Sequence, residues 1–261
     1  MSAEYAEVIA GCPVTTVGDD GPPVVLLTGP PAGRWVFLEV QRRMAPLRTV
    51  ALDLFSAERG PLEPAALTTL LAEVLRAVGA RAVCAHGLAV PIALALTPEA
   101  TPLVVLTNGP VDRLDPVTRA LSALPEATLR QLFRPAWFRR WLRSSLGLRR
   151  LVANPYVMDH DTVVALSESW VRGATERAAA ARWVSGFSRD LALPRGAGPT
   201  CIAIWGDSDP LYPLSALDGL RATGGLGALR TVPGGRHFHP LERPWALADV
   251  LLSVVQEHEE G

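Results

Sequence analysis

The stretch Ala82-Val83-Cys84-Ala85-His86-Gly87-Leu88-Ala89-Val90-Pro91-Ile92-Ala93 reads as an apolar strand, a tight turn and a helix. Similar units lie on both sides of it. Upstream, Val24–Leu27 is a continuous apolar run closed by Thr28-Gly29-Pro30-Pro31-Ala32-Gly33, the pattern of a strand buried on both faces. Helical spacing follows over Trp35–Met44, a second such strand over Arg48–Leu54, and an amphipathic helix over Ala65–Val78 that ends near Gly79. Downstream, Pro102–Leu106 is the next strand and ends in Thr107-Asn108-Gly109-Pro110. Weak alternation over Glu7–Val17 predicts a pair of edge strands. Strands alternating with helices imply an α/β fold built on a mostly parallel sheet with right-handed crossovers.

The rhythm breaks after residue 110 and resumes after Leu193-Pro194-Arg195-Gly196. The second half then reads as a strand over Thr200–Trp205, a helix over Leu214–Ala222, a short strand over Leu229–Val232, and a last helix from about Trp245 to Val255, with Glu257–Gly261 a frayed tail. Between the halves lie helix-like segments and no convincing strand. The expected organisation is therefore a core over 1–110, a helical cap inserted at 111–190, and the rest of the core over 191–261. The cap concentrates aromatics (Phe133, Trp137, Phe138, Trp141, Tyr156, Trp170, Trp183, Phe187) and arginines (Arg134, Arg139, Arg140, Arg143, Arg149, Arg150). Packing on the core, with arginines facing water, accounts for most of them. The functional reading is a lid whose Phe133, Trp137, Trp141 and Trp170 line a pocket, with Arg134 toward an anionic group of the substrate. The arginine-rich helix also fits contact with a membrane surface, but the near-neutral chain makes that the weaker option.

Bulk properties narrow the classes. The chain has 261 residues, 49% of them hydrophobic, enough for one sizeable core. Its net charge of -1 lacks the basic footprint of a nucleic-acid binder. All 25 basic side chains are arginine, which excludes Schiff-base chemistry on a lysine. Cys12, Cys84 and Cys201 lie far apart with no disulfide or metal spacing, and no metal or other cofactor is expected. Neither a signal peptide nor an apolar run long enough to insert into a membrane is visible, so a cytoplasmic location is expected. The expected partner is a small-molecule or peptide substrate; oligomeric state is not legible.

Four segments together resemble the α/β-hydrolase family: the Thr28-Gly29 loop, the turn at Gly87, Ile204-Trp205-Gly206-Asp207-Ser208-Asp209-Pro210, and Gly235-Arg236-His237 leading into Leu241-Glu242-Arg243-Pro244. They follow the family's chain order of nucleophile, acid and histidine. The resemblance implies that Asp209 is the catalytic acid and His237 the base. It also implies that the Thr28-Gly29 loop, where the family usually has His-Gly, and the N–H of Leu88 supply oxyanion donors. At the nucleophile elbow, G-x-S-x-G in the family, this chain reads Ala85-His86-Gly87-Leu88-Ala89. Position 87 has no side chain and cannot attack. Glycine there relieves the φ > 0 strain that another residue would carry, on the order of 1–3 kcal/mol. His86 is expected under the turn in a structural role, His239 toward solvent or the cap, and Asp207 and Ser208 in turn formation.

His237 oriented by Asp209 remains a competent general base. That set suits proton abstraction next to a carbonyl followed by epimerisation, elimination or cyclisation, and family members that lost the serine do such chemistry on peptide or polyketide natural-product intermediates in bacteria. Two other readings stay open: a catalytically silent metabolite-binding protein, and a hydrolase using a displaced nucleophile or a water activated by His237.

Overall fold

A computed structural model describes residues 4–30, 32–55, 64–100, 103–145, 147–190 and 199–260. Eight strands form one sheet: β1 (Glu4–Ile9), β2 (Cys12–Val17), β3 (Asp20–Thr28), β4 (Leu47–Leu52), β5 (Ala82–His86), β6 (Leu103–Thr107), β7 (Cys201–Gly206) and β8 (Leu226–Val232). The order across it is β1-β2-β4-β3-β5-β6-β7-β8. β1, β2 and β4 pair antiparallel; every pair from β4–β3 to β7–β8 is parallel.

Side-chain alternation divides each central strand between two cores. Val24 and Leu26 of β3, Ala82 and Cys84 of β5, and Leu103 and Val105 of β6 face one layer, with α1 (Leu38–Met44) and α11 (Pro244–Glu260) over it. Val25 and Leu27, Val83 and Ala85, and Val104 and Leu106 face the other, under α2 (Pro64–Val78) and α3 (Val90–Leu94). Both layers are buried, which is why these strands read as unbroken apolar runs. A Val or Leu so placed contributes about 1.5–3 kcal/mol relative to exposure.

Between β6 and β7 run α4 (Pro116–Ser122), α5 (Glu126–Leu132), α6 (Pro135–Arg143), α7 (His160–Val171) and α8 (Ala174–Asp190), with no strand among the described residues of this insertion. Their buried residues, Leu129, Phe138, Leu142, Leu166 and Ala180 among them, belong to the same apolar cluster as α2 and α3. α9 (Asp218–Ala222) and α10 (His239–Glu242) complete the set. No helix among the described residues is long and apolar enough to cross a membrane.

Three details differ from the expectation. β3 starts at Asp20 rather than Val24, with a register shift between them where Pro22 and Pro23 have no N–H for the ladder. The helix expected over 214–222 is a 3-10 turn followed by the short α9. The tail expected to fray is helical to Glu260, where Ser253 donates to Glu257 Oε1 at 2.7 Å and Arg230 pairs with Oε2 at 3.1 Å.

Candidate active site

The parallel strands end on one edge of the sheet, and their C-terminal ends converge there: Thr28 closing β3, Gly87 after β5, Asn108 after β6, Asp209 after β7 and His237 after β8. Crevices outside the carboxyl ends of such strands are where open α/β sheets bind ligands.

Asp209 and His237 are both buried, and His237 Nδ1 donates to Asp209 Oδ2 at 2.9 Å. The same oxygen accepts from Asn108 Nδ2 at 2.8 Å, and Oδ1 accepts from the Leu211 N–H at 2.8 Å. Burial alone pushes the Asp209 carboxyl up; the charge of His237 and these hydrogen bonds outweigh it and hold the group below the usual carboxylate range. An ionised Asp209 fixes the His237 tautomer with the proton on Nδ1, leaving Nε2 as the basic nitrogen. Asn108 does more than hold the acid: its Oδ1 accepts from the Gly206 N–H at 2.7 Å and its carbonyl accepts from the Gly87 N–H at 3.0 Å. One residue thus ties the acid loop to the turn at 87.

Gly87 has φ +60°, and a Cβ there would meet nothing nearer than His237 Nε2, at 3.8 Å. The space that a side chain at 87 would fill therefore opens directly onto the free nitrogen of His237.

The donors on the opposite side are differently disposed. The Gly29 N–H donates to the His86 carbonyl at 3.2 Å. His86 Nε2 must donate to the His237 carbonyl, 2.8 Å away, so Nδ1 is the acceptor of the Thr28 hydroxyl at 3.1 Å. Burial, then the neighbouring charge of His237, pushes the His86 imidazole well down, so it stays neutral. Pro30, the next residue, has no N–H. Of Thr28, Gly29 and Leu88, expected as oxyanion donors, the first two are thus engaged elsewhere. Leu88, directly after the turn, lines the cavity.

Gly29, Pro30, His86, Gly87, Leu88 and His237 floor a cavity of about 440 Å³. Phe133, Trp137, Trp141 and Trp170 line it from the inserted helices; Leu132 and the two-thirds exposed Trp137 stand at its rim. Arg134 does not line it. It is exposed at the N-cap of α6, turned away because Phe133 and Phe138 take the inward positions. Arg150, from a 3-10 turn at Leu148–Leu151, lines the cavity instead. A buried pair also faces it: Tyr212 donates to Asp115 Oδ2 at 3.0 Å, while Asp115 Oδ1 caps α4 through Val117 and Thr118. Burial, then Asp115, pushes the Tyr212 phenol far up, so it remains a donor.

No protein-family profile and no curated protein matches the chain. Solved structures do. Cfl2 from Burkholderia cenocepacia superposes with a TM-score of 0.75 at 20% identity, over 97% of this chain and 95% of that one. An α/β hydrolase fold protein from Burkholderia ambifaria gives 0.73 at 21%, over 95% and 97%. A laboratory-evolved variant of a potato epoxide hydrolase gives 0.73 at 16%, over 98% and 100%. The chain has the α/β-hydrolase fold. Other neighbours are described as a haloalkane dehalogenase and an esterase, so most of the named activities are hydrolytic.

Residues around the turn at Gly87 take places the sequence did not announce. His239, expected toward solvent or the cap, is fully buried with Nε2 at 2.7 Å from the Thr107 hydroxyl. Burial pushes its imidazole down to about 3. Ser208 donates to Asp207, which accepts from the Gly234 N–H, so both serve the turn. Sequence reasoning does not place Asn108, Asp115, Tyr212 or Arg150 at the site; Pro30 is the local sign in the sequence of a missing donor. The three cysteines are buried thiols, that of Cys84 pushed up to about 12 by burial. Among the described residues no group of three or more His, Cys, Asp or Glu is placed to hold a metal.

Proposed function

We propose that the protein is a proton-transfer enzyme acting on carbon next to a carbonyl. His237 Nε2 takes the C–H proton, the electron pair passes to the carbonyl as an enolate, and Asp209 stabilises the imidazolium formed. The imidazolium then returns the proton to carbon, which is epimerisation, or the enolate expels a β-leaving group or closes a ring. The inserted helices act as a cap over this chemistry. The observation that carries the reading is the free His237 nitrogen facing empty space at residue 87, with its acid partner held ionised at 2.9 Å. Positioned bases of this kind are worth roughly 10²–10⁴ in rate. The Leu88 N–H is the group proposed for an enolate oxygen, since the Tyr212 proton is given to Asp115. The largely apolar walls favour a hydrocarbon-rich, polyketide-like substrate over a peptide, whose amides would find few partners.

A covalent acyl-enzyme fits this site poorly, since it needs a side chain at 87 and a full set of oxyanion donors. The hydrolytic names of the structural neighbours favour a second reading, in which His237 activates a water for direct attack.

Reaction with a fluorophosphonate, read by intact-protein mass spectrometry, separates these. The natural protein is expected to stay unmodified, and Gly87→Ser to gain one adduct over hours. An adduct on the natural protein would reveal another activated serine and return the hydrolase reading. Silence from both proteins would sink the assembled base and leave a metabolite-binding protein.

A further inference from the structure

We propose that the cavity takes an amphiphilic carboxylate, and that Arg150 recognises its anionic end. The inference deepens the proton-transfer reading by naming a substrate class. It rests on that reading for the chemistry at His237, while the recognition itself stands on the cavity wall.

Six buried side-chain atoms among the described residues have no hydrogen-bond partner, and two of their residues, Arg150 and Trp170, line this one cavity. Both orphaned atoms, Arg150 Nε and Trp170 Nε1, are donors. The Trp170 side chain is only 3% exposed, so water does not routinely satisfy its indole N–H. A guanidinium keeps its charge at any pH a folded protein meets, and burying any part of it unpaired is costly. Arg150 nevertheless forms no ion pair among the described residues. The one carboxylate of the cavity wall cannot serve it freely. Asp115 accepts two helix N–H groups at one oxygen and the Tyr212 hydroxyl at the other.

Arg150 is also held in place. Its carbonyl accepts from Arg236 Nη1 at 3.0 Å, and the same nitrogen reaches the Val152 carbonyl at 3.3 Å. Arg236 precedes His237, so the segment that carries the base also fixes the backbone of the cation. A planar guanidinium without an ion-pair partner matches a carboxylate better than a neutral oxygen. The rest of the wall is chiefly Leu, Val, Phe and Trp, which demands an apolar body. A cavity of about 440 Å³ admits a medium-length chain or a small fused ring system.

Decanoate and decanol are suitable probes, because they share a body and differ at the head. Titration against intrinsic tryptophan fluorescence gives both dissociation constants. Decanoate is expected to bind roughly 10-fold tighter than decanol or more, in line with a charge-assisted hydrogen bond. Arg150→Gln should erase that preference while decanol binding changes less than about 3-fold, and Arg150→Lys should keep part of it. Trp170→Phe, which leaves the charge in place, should lower decanoate affinity by only about 2- to 5-fold. Equal binding of the two probes by the natural protein, no binding of either, or an Arg150→Gln variant that keeps the preference would each overturn the proposal. A decanoate preference without labelling of Gly87→Ser would sink the proton-transfer reading and leave this one standing. Labelling without the preference would do the reverse.

Discussion

The two sides of the cavity floor are built to different standards. On the acid–base side, Asp209 receives hydrogen bonds from His237, Asn108 and Leu211, and Asn108 in turn holds the β7 loop and the elbow. On the other side, residue 87 has no side chain, the Thr28 hydroxyl and the Gly29 N–H are turned onto His86, and Pro30 has no donor. A buried carboxylate is costly for a fold to keep, and apolar residues of equal volume serve stability as well or better. Stability therefore does not account for the acid side, whereas it accounts fully for the glycine at 87. The contrast supports the proposed proton transfer at His237 over nucleophilic attack from residue 87.

The most direct way to break that contrast is to damage its built side while reporting from its empty one. In a Gly87→Ser background, Asp209→Asn should slow fluorophosphonate labelling by roughly 10²-fold or more, because the amide no longer fixes the tautomer or stabilises the imidazolium. Labelling rates measured by mass spectrometry over a time course check this. A change of less than about 3-fold would mean that the Asp209–His237 pair does not act as a unit.

A smaller effect lies beneath the same side. The folded protein holds His239 near 3, against an ordinary value of 6.5, so below pH 6.5 the unfolded chain takes up a proton that the native one refuses. Its contribution to stability is present above pH 6.5 and is lost as the pH falls toward 3, at up to about 1.4 kcal/mol per pH unit. His86 acts in the same direction, and Asp209 adds its own loss at the acid end, below its ordinary 3.8. Urea unfolding at pH 7, 5 and 4 should therefore show steep acid destabilisation. His239→Gln should flatten it, with the variant less stable at pH 7 but approaching the natural protein at pH 4. Parallel curves for the two proteins would show that native His239 takes up its proton over the same range as the unfolded chain.

Much of the frame was legible because burial on two faces writes itself into β3, β5 and β6 as apolar runs, and because the segments carrying Gly87, Asp209 and His237 resemble those of the α/β-hydrolase family in their order. The remainder depends on partners far away in the chain. Arg134 and Arg150 sit in the same arginine-rich segment, and only the inward packing of Phe133 and Phe138 decides which one meets the cavity. Asn108 reads locally as a turn residue; its role appears only when β6 and β7 lie side by side. His239 looked like a loop histidine until α10 carried it under Thr107. The engagement of the Gly29 N–H needs the carbonyl of His86 across the sheet, which no local pattern encodes.

The finest comparison is between two glycines of the floor, Gly29 and Gly87. A Cβ on Gly29 would lie 2.6 Å from Leu88 Cβ and 2.8 Å from its backbone, so Gly29→Ala must push the elbow away from the β3 loop. Overpacking of that kind typically costs ~1–3 kcal/mol. A Cβ on Gly87 meets only His237 Nε2 at 3.8 Å, and the penalty of Gly87→Ala is confined to its φ of +60°. That strain is about 1 kcal/mol, a fall in Tm of roughly 2–4 °C for a chain of this size. Gly29→Ala should lower Tm by at least twice as much, as calorimetry of the two variants would show. The reverse order would mean that packing around the elbow requires glycine at 87. The expected order means the opposite: space for a side chain is there, beside His237 Nε2, as the proposed base requires.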